Sequence, residues 1–155
     1  MRLLSHLLLL LVAGCAAPFG ADADDSPLVV TATDGTAGTA PLISWADVGA
    51  TSVWVTDEQG RTVWGIHAGG QNRPDGDYEI VHIASPVPYG AYAEGTTLGV
   101  APRTTTTAGV LEPGVTYTAH VSYLGGGSGG FMGRRPVVRQ GDATFRVTAR
   151  IEPGR

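Results

Sequence analysis

An acidic cluster in a turn-rich stretch has the side chains best suited to binding a metal ion. Asp75, Asp77 and Glu79 alternate around Gly76 within residues 72–79. Closely spaced oxygen ligands around a glycine are what a hard cation such as calcium requires. The ligand order of an EF-hand is absent, however, and Asp-Gly is also a common turn signal. We favour a surface turn and keep a weak calcium site at Asp75, Asp77 and Glu79 as the alternative.

Three histidines and one serine are the remaining candidates for acid–base or nucleophilic chemistry. His67, His82 and His120 are far apart in sequence, and no pair has the spacing of a zinc site. Ser128 lies in the run Gly-Gly-Ser-Gly-Gly, without the strand–turn–helix elbow that a G-x-S-x-G nucleophile needs. We therefore expect surface histidines, with His120 on the outward face of its strand, and a serine in a flexible loop. No catalytic residue and no cofactor is predicted.

Aromatic side chains suggest a different function, which is stacking on a ligand. Trp54 lies between Val53 and Val55 in a predicted strand, so it lies on the face opposite to these valines. Tyr89 and Tyr92 lie in a segment rich in proline and glycine. Flat rings can stack on sugars or anchor a partner. Trp54, Tyr89 and Tyr92 are therefore the candidate ligand-binding residues, with core packing as the alternative.

The N-terminus has the layout of a secretory signal that ends at the only cysteine. Arg2 precedes an apolar run at residues 3–12, which is too short to cross a bilayer as a permanent helix. The tetrad Val12-Ala13-Gly14-Cys15 resembles the bacterial lipobox. That resemblance implies removal of residues 1–14 and lipidation of Cys15. Two or more acyl chains hold a protein durably on a membrane, whereas one holds it marginally.

The composition is that of one exported domain without a basic patch. The chain has 155 residues and a net charge of −4. Loss of residues 1–14 removes only one charge and leaves a length typical of one domain. The absence of a basic stripe in the sequence argues against a nucleic-acid partner. With Cys15 lipidated no thiol remains for a disulfide, so the core must provide the stability.

The mature chain reads as a series of short strands. β-branched residues are abundant, and no window has a convincing helical period. A small, acidic tether at residues 15–26 precedes an all-β domain at residues 27–150, with about seven to nine strands, and a tail at residues 151–155. The predicted strands cover residues 28–33, 40–48, 51–56, 61–68, 78–84, 89–93, 96–107, 115–124 and 143–149, with loops at 69–76 and 125–133.

A corner ahead of the clearest strand resembles one found in fibronectin type III domains. The run Leu111-Glu112-Pro113-Gly114-Val115-Thr116-Tyr117 is similar to the L-x-P-G-x-x-Y corner of that family. The resemblance implies an immunoglobulin-like β-sandwich in which the Tyr117 hydroxyl bonds to backbone upstream. Trp45 resembles the second-strand tryptophan of the family, so Trp45 and Tyr117 are the implied structural residues. The chain also resembles uncharacterised bacterial lipoproteins that carry one such domain behind a short tether.

These patterns predict a lipid-anchored, non-enzymatic protein of the cell envelope with a structural or binding role. The expected partners are the membrane, through the lipid, and an envelope protein or polysaccharide. Ala16 replaces the aspartate of an inner-membrane retention signal, which favours the outer membrane if the cell is Gram-negative. The alternative function is a carbohydrate-binding module that uses exposed aromatic residues. A hydrolase is the weakest interpretation, because the sequence has no nucleophile–base or paired-carboxylate signature.

Overall fold

The computed structural model describes residues 26–46, 48–72, 74, 76, 78–92, 102–125 and 137–153. Cys15, Asp75, Asp77 and Ser128 therefore lie outside the described residues. Within the described ranges every regular element is a strand, so the all-β prediction is confirmed. No helix in these ranges is long and apolar enough to span a bilayer.

The described residues form ten strands, against the seven to nine predicted. In chain order they are β1 (Val30–Ala32), β2 (Leu42–Trp45), β3 (Ser52–Thr56), β4 (Thr62–His67), β5 (Gly69–Asn72), β6 (Tyr78–Val81), β7 (Val87–Pro88), β8 (Arg103–Thr106), β9 (Thr116–Gly125) and β10 (Val137–Arg146).

Two antiparallel sheets pack around one core, as in a β-sandwich. One sheet has the strand order β1-β2-β7, and the other has the order β10-β9-β3-β4-β8. A short hairpin of β5 and β6 accompanies them. Ile43 and Trp45 from the first sheet join Val53, Val55 and Val121 from the second in a single buried cluster. Stacking two sheets in this way buries the apolar face of each.

The five-stranded sheet has one buried face and one solvent face because its side chains alternate. In β3, Val53 and Val55 are fully buried, whereas Trp54 between them is partly exposed. In β4, Trp64 and Ile66 are buried together. Side chains in a strand point to opposite faces with a period of two. The polar residues of β3, β4 and β9 therefore form a continuous outer face.

The two residues expected to be structural lie in the core. The Glu112 backbone N–H donates to the Tyr117 hydroxyl at 2.8 Å, and the Tyr117 ring stacks on Phe145 with ring centroids 5.7 Å apart. This is the bond from the tyrosine to upstream backbone that the corner motif implies. The Trp45 indole N–H donates to the Val48 carbonyl at 2.7 Å, and its ring is buried.

The segment predicted as a loop at residues 69–76 contains a strand. β5 pairs with β6 over four residues, from the Gly69–Val81 pair to the Asn72–Tyr78 pair. The loop prediction was wrong because glycines have no side chains that could show a period of two, whereas the pairing itself uses only backbone groups.

The segment predicted as a strand at residues 89–93 begins with a turn. The observed strand in this region is β7, which ends at Pro88, just before the predicted one. The Ala91 N–H then donates to the Pro88 carbonyl at 3.1 Å, which closes a turn over Tyr89 and Gly90. Gly90 has a φ of +78°, a backbone conformation that glycine adopts readily. The prediction of a strand at residues 89–93 was wrong because the chain turns at Gly90. The prolines around Val87 are typical of an edge segment, and β7 is the edge strand of its sheet.

The C-terminal boundaries also differ from the prediction. β10 begins at Val137, six residues before the predicted start, and it is an edge strand whose outer face is largely polar. Because these residues are polar, the sequence shows no clear strand pattern before residue 143. Ile151, assigned to the tail, is buried and exchanges two backbone hydrogen bonds with Leu111. The folded domain therefore extends past residue 150.

Candidate functional site

One row of residues crosses the outer face of the five-stranded sheet. The strand register places Asp142, His120, Trp54, Gly65 and Thr106 side by side, one from each strand from β10 to β8. The residues on either side of the tryptophan in β3 are fully buried, so the row lies on the solvent side of the sheet. A single large aromatic residue thus lies in the middle of a polar surface.

His120 is fixed on three sides. Its ring stacks on the Trp54 indole with centroids 4.9 Å apart and an interplanar angle of 14°. His120 Nδ1 lies 2.7 Å from Asp142 Oδ1, and because a carboxylate only accepts, Nδ1 is the donor. His120 Nε2 lies 3.0 Å from Thr56 Oγ1. These contacts orient the imidazole and cover one side of the indole.

The contacts of His120 have the atom order of a nucleophile–base–acid triad. A hydroxyl bonds to Nε2 and a carboxylate bonds to Nδ1, as in serine hydrolases. Acyl transfer also requires free donors aimed at the oxygen that becomes charged. Thr56 lies in β3, which pairs with β4 on one side and β9 on the other, so the sheet engages its backbone N–H groups. We therefore assign this hydrogen-bonded chain to holding the His120 ring.

The other side of the indole faces a groove because Gly65 has no side chain. The groove has a volume of about 280 Å³. A Cβ atom at Gly65 would lie 2.8 Å from Thr105 Oγ1 and 3.5 Å from Trp54 Cβ, so a side chain there would narrow the space between these two residues. The groove is lined by Trp54, by Val53 and Ile66, and by five polar residues, which are Ser52, Thr62, His67, Thr105 and Thr106.

The groove has a polar end at His67. The Ser52 hydroxyl lies 2.7 Å from His67 Nδ1, which fixes the orientation of both side chains. Arg103 lies opposite His67 in the strand register. His67 and Arg103 also line a neighbouring cavity of about 230 Å³. Hydroxyl, imidazole and guanidinium groups thus follow one another from the groove to its neighbour.

Tyr89 is a core residue and not part of an exposed platform. Its side chain is 4% exposed, and its hydroxyl donates to the Gly109 carbonyl at 2.7 Å. Burial raises the pKa of the Tyr89 hydroxyl above its ordinary value, so the group stays neutral. The ligand-stacking prediction for Tyr89 was wrong because the sequence does not show that the chain turns inward here. Tyr92 follows in a left-handed conformation with φ of 60°, packs partly against the core, and accepts a hydrogen bond from Thr104 through its carbonyl.

The proposed calcium site is only partly covered by the structure. Glu79 lies on β6, exposed, opposite Gln71 in the register. Asp75 and Asp77 lie outside the described residues. Among the residues that are described, no three histidine, cysteine, aspartate or glutamate side chains are placed to hold a metal ion together.

A second cavity, of about 530 Å³, lies away from the groove and is lined by residues that include Thr39, Tyr89 and Arg150. Arg150 forms ion pairs with Glu112 at 3.0 Å and Glu152 at 2.8 Å, so its charge is already compensated. The site next to Trp54 therefore has the stronger claim to function.

The sequence predicted outward-facing positions for Trp54 and His120, but not that the two residues meet. His120, Asp142 and Gly65 lie far apart along the chain, and only the strand register brings them together. No family model, curated protein or solved structure matches this chain. The function is therefore argued from the geometry of the site and the N-terminal sequence.

Proposed function

We propose that this protein is a lipid-anchored, non-enzymatic binding protein of the cell envelope. The observation that carries the binding role is the Trp54 row, in which an aromatic ring is held by His120 on one side and open over Gly65 on the other. The N-terminal run ending at Cys15 supports export and anchoring. Ala16 supports the outer membrane as the location if the cell is Gram-negative.

The fold that best accounts for the domain is a fibronectin type III-like sandwich. The bond to the Tyr117 hydroxyl and the buried Trp45 support this assignment. So does the division into a sheet of three strands and a sheet of five strands. Such sandwiches carry many functions on their surfaces, so the fold supports a scaffold and does not select a ligand.

The anchor is tested by Cys15→Ala. We expect the native protein to fractionate with membranes and the Cys15→Ala variant to appear in the soluble fraction, because a lipobox without its cysteine accepts no acyl chain. Mass spectrometry of the native protein should show a lipidated N-terminal Cys15. Membrane retention of the variant equal to that of the native protein would refute the anchor.

Saccharide binding is the more specific candidate function, and the groove beside Trp54 favours it. Sugar rings have apolar faces that stack on aromatic rings and hydroxyl edges that need hydrogen-bonding partners. The groove offers one indole wall and polar side chains around it, among them Ser52 and His67. This combination suits a sugar better than a purely apolar ligand.

Saccharide binding is tested on a glycan array with the native protein and Trp54→Ala. We expect signals for a limited set of glycans and their loss in Trp54→Ala. Thr144→Ala is the matched control, because Thr144 lies exposed on the same outer face but on the edge strand β10. Circular dichroism must show that all three proteins keep the strand signal. An empty array with folded native protein, or binding that is unchanged in Trp54→Ala, would exclude this site as a saccharide site.

A further inference from the structure

The large apolar side chains that are exposed gather at one end of the domain. Among the described residues they are four: Val29, Ile80, Leu124 and Val138, which are 71%, 36%, 42% and 51% exposed. We call this group the tether end. Leu124 and Val138 are direct partners on β9 and β10. Leu124 and Ile80 line the same cavity of about 230 Å³.

Val29 belongs to the same end because the N-terminal segment runs alongside β10. The Leu28 N–H donates to the Gln140 carbonyl at 3.0 Å, and further along the Gly35 N–H donates to the Arg146 carbonyl at 2.9 Å. Both chains therefore advance in the same direction. Val29 follows Leu28 at the start of this contact, about three residues along β10 from Val138.

The chain that leads to Cys15 leaves the domain at this end. The Arg139 side chain donates from Nε to the Ser26 carbonyl at 2.8 Å, which holds Ser26 near the start of β10. Cys15 precedes Ser26 by eleven positions along the chain. At about 3.3–3.6 Å per residue, the chain between them spans at most about 40 Å. A lipid on Cys15 thus keeps the tether end within about 40 Å of the bilayer surface.

We propose that the tether end lies on the lipid surface that holds Cys15, so that the strands stand upright on the membrane. The proposal rests on the lipid anchor of the proposed function. Apolar side chains at a membrane interface gain from burial among acyl chains and headgroups. An exposed patch of this kind on a domain restricted to a membrane surface has that membrane as its nearest apolar partner.

The test compares two positions on one strand in the full, lipidated protein. Val138→Cys and Thr144→Cys lie on the same face of β10, six residues or about 20 Å apart. Because the lipid occupies the Cys15 sulfur, the introduced thiol is the only one free for an environment-sensitive fluorophore. The labelled proteins are reconstituted into phosphatidylcholine vesicles that contain a lipid-borne nitroxide quencher.

We expect a blue-shifted emission at position 138 and quenching several-fold stronger than at position 144. Leu124→Cys should behave like Val138→Cys, because the two residues are paired. Equal, weak quenching at 138 and 144 in vesicle-bound protein would overturn the proposal while leaving the anchor intact. A blue-shifted label at 138 that the lipid nitroxide does not quench would also overturn it, in favour of a second copy or another protein segment. Protein that does not float with the vesicles would instead refute the anchor itself.

Discussion

The open side of Trp54 depends on a neighbour that contributes no side chain to it. Gly65 pairs with Trp54 on one side and with Thr106 on the other, so its missing side chain leaves space in the middle of the row. The opposite side of the indole is closed by His120. The asymmetry means that a ligand has one side of the ring available, and that a methyl group added at Gly65 would narrow the approach to this side.

We expect Gly65→Ala to weaken saccharide binding about tenfold, a loss of roughly 1.4 kcal/mol. The new Cβ would lie 2.8 Å from Thr105 Oγ1, a hydroxyl that can rotate away, so the change narrows the groove beside Trp54 without forcing the backbone. Alanine in a strand is about 0.5–1 kcal/mol more favourable than glycine, so the fold should not suffer. Titration calorimetry measures the affinity and thermal unfolding is the control. An unchanged affinity for a ligand that needs Trp54 would contradict the groove.

The hydroxyl of Tyr117 has a structural role that can be measured separately. We expect Tyr117→Phe to lower the free energy of unfolding by about 1–2 kcal/mol, because the Glu112 N–H loses its acceptor. Tyr123→Phe is the matched control on the same strand, since the described residues provide no hydrogen bond to the Tyr123 hydroxyl. Urea denaturation gives both values. Equal losses in the two variants would show that the corner bond contributes nothing specific.

Between strands, the β3–β4 turn is held by one carboxylate. Asp57 Oδ1 accepts from the backbone N–H groups of Gln59 and Arg61, both at 2.9 Å, and Oδ2 accepts from Arg61 Nε at 2.7 Å. Burial disfavours the charged carboxylate, but the bonds from Arg61 and Gln59 outweigh it, so the pKa of Asp57 lies below its ordinary value. Gly60, with φ of +74°, completes the turn.

A lowered pKa makes the contribution of Asp57 depend on pH. The unfolded chain binds the proton at a higher pH than the folded chain does, so this stabilisation is present above about pH 4 and decreases as the pH falls further. We expect Asp57→Asn to have a lower Tm than the native protein at pH 7 and a flatter decline of Tm between pH 5 and pH 3. Parallel Tm curves for the two proteins would show that the turn carboxylate has no such role.

The contact of the N-terminal segment with β10 depends on close approach at one glycine. A Cβ atom at Gly141 would lie 2.1 Å from the Leu28 carbonyl oxygen and 2.8 Å from Val30 Cγ2. The first of these is backbone, so it cannot move alone. We expect Gly141→Ala to destabilise the domain by about 1–3 kcal/mol, as overpacking does. Gln140→Ala, at an exposed neighbouring position, should change the stability by less than about 0.5 kcal/mol. Chemical denaturation gives the free energy of unfolding of both variants. Equal free energies would contradict the close packing at Gly141.

The strands that the sequence predicted well are those whose two faces meet different surroundings. β3, β4 and β9 lie inside the five-stranded sheet, so core and solvent impose a clear alternation on them. β5 is too rich in glycine to show alternation. β10 is an edge strand, and its exposed face carries mostly polar residues. For the same reason the sequence found Trp54 but not its partners. Strand register is a long-range property that no local pattern contains.

At the scale of the whole molecule, the tether end and the Trp54 row lie at different heights on one sheet. Val138 and Asp142 lie on the same strand four residues apart, which is about 13 Å along β10. If the strands stand on the membrane, the outer face of the sheet points sideways and its row is above the lipid surface. Trp54 and the tether end then lie at different levels, and the groove approaches the tether end at His67, which also lines the cavity beside Leu124 and Ile80.

Because Trp54 lies above the tether end in the upright orientation, we predict that the affinity for a glycan does not depend on the lipid anchor. We expect a glycan identified on the array to bind the reconstituted, lipidated protein and the soluble Cys15→Ala variant with Kd values equal within about twofold. Both proteins have the same groove beside Trp54, and a row about 13 Å from the lipid leaves a saccharide free to approach from the side. Binding to vesicles and to free protein can be compared by microscale thermophoresis with the same labelled glycan. A much weaker affinity on vesicles would mean that the groove faces the bilayer, and the upright orientation would then have to be abandoned even if the tether end contacts lipid.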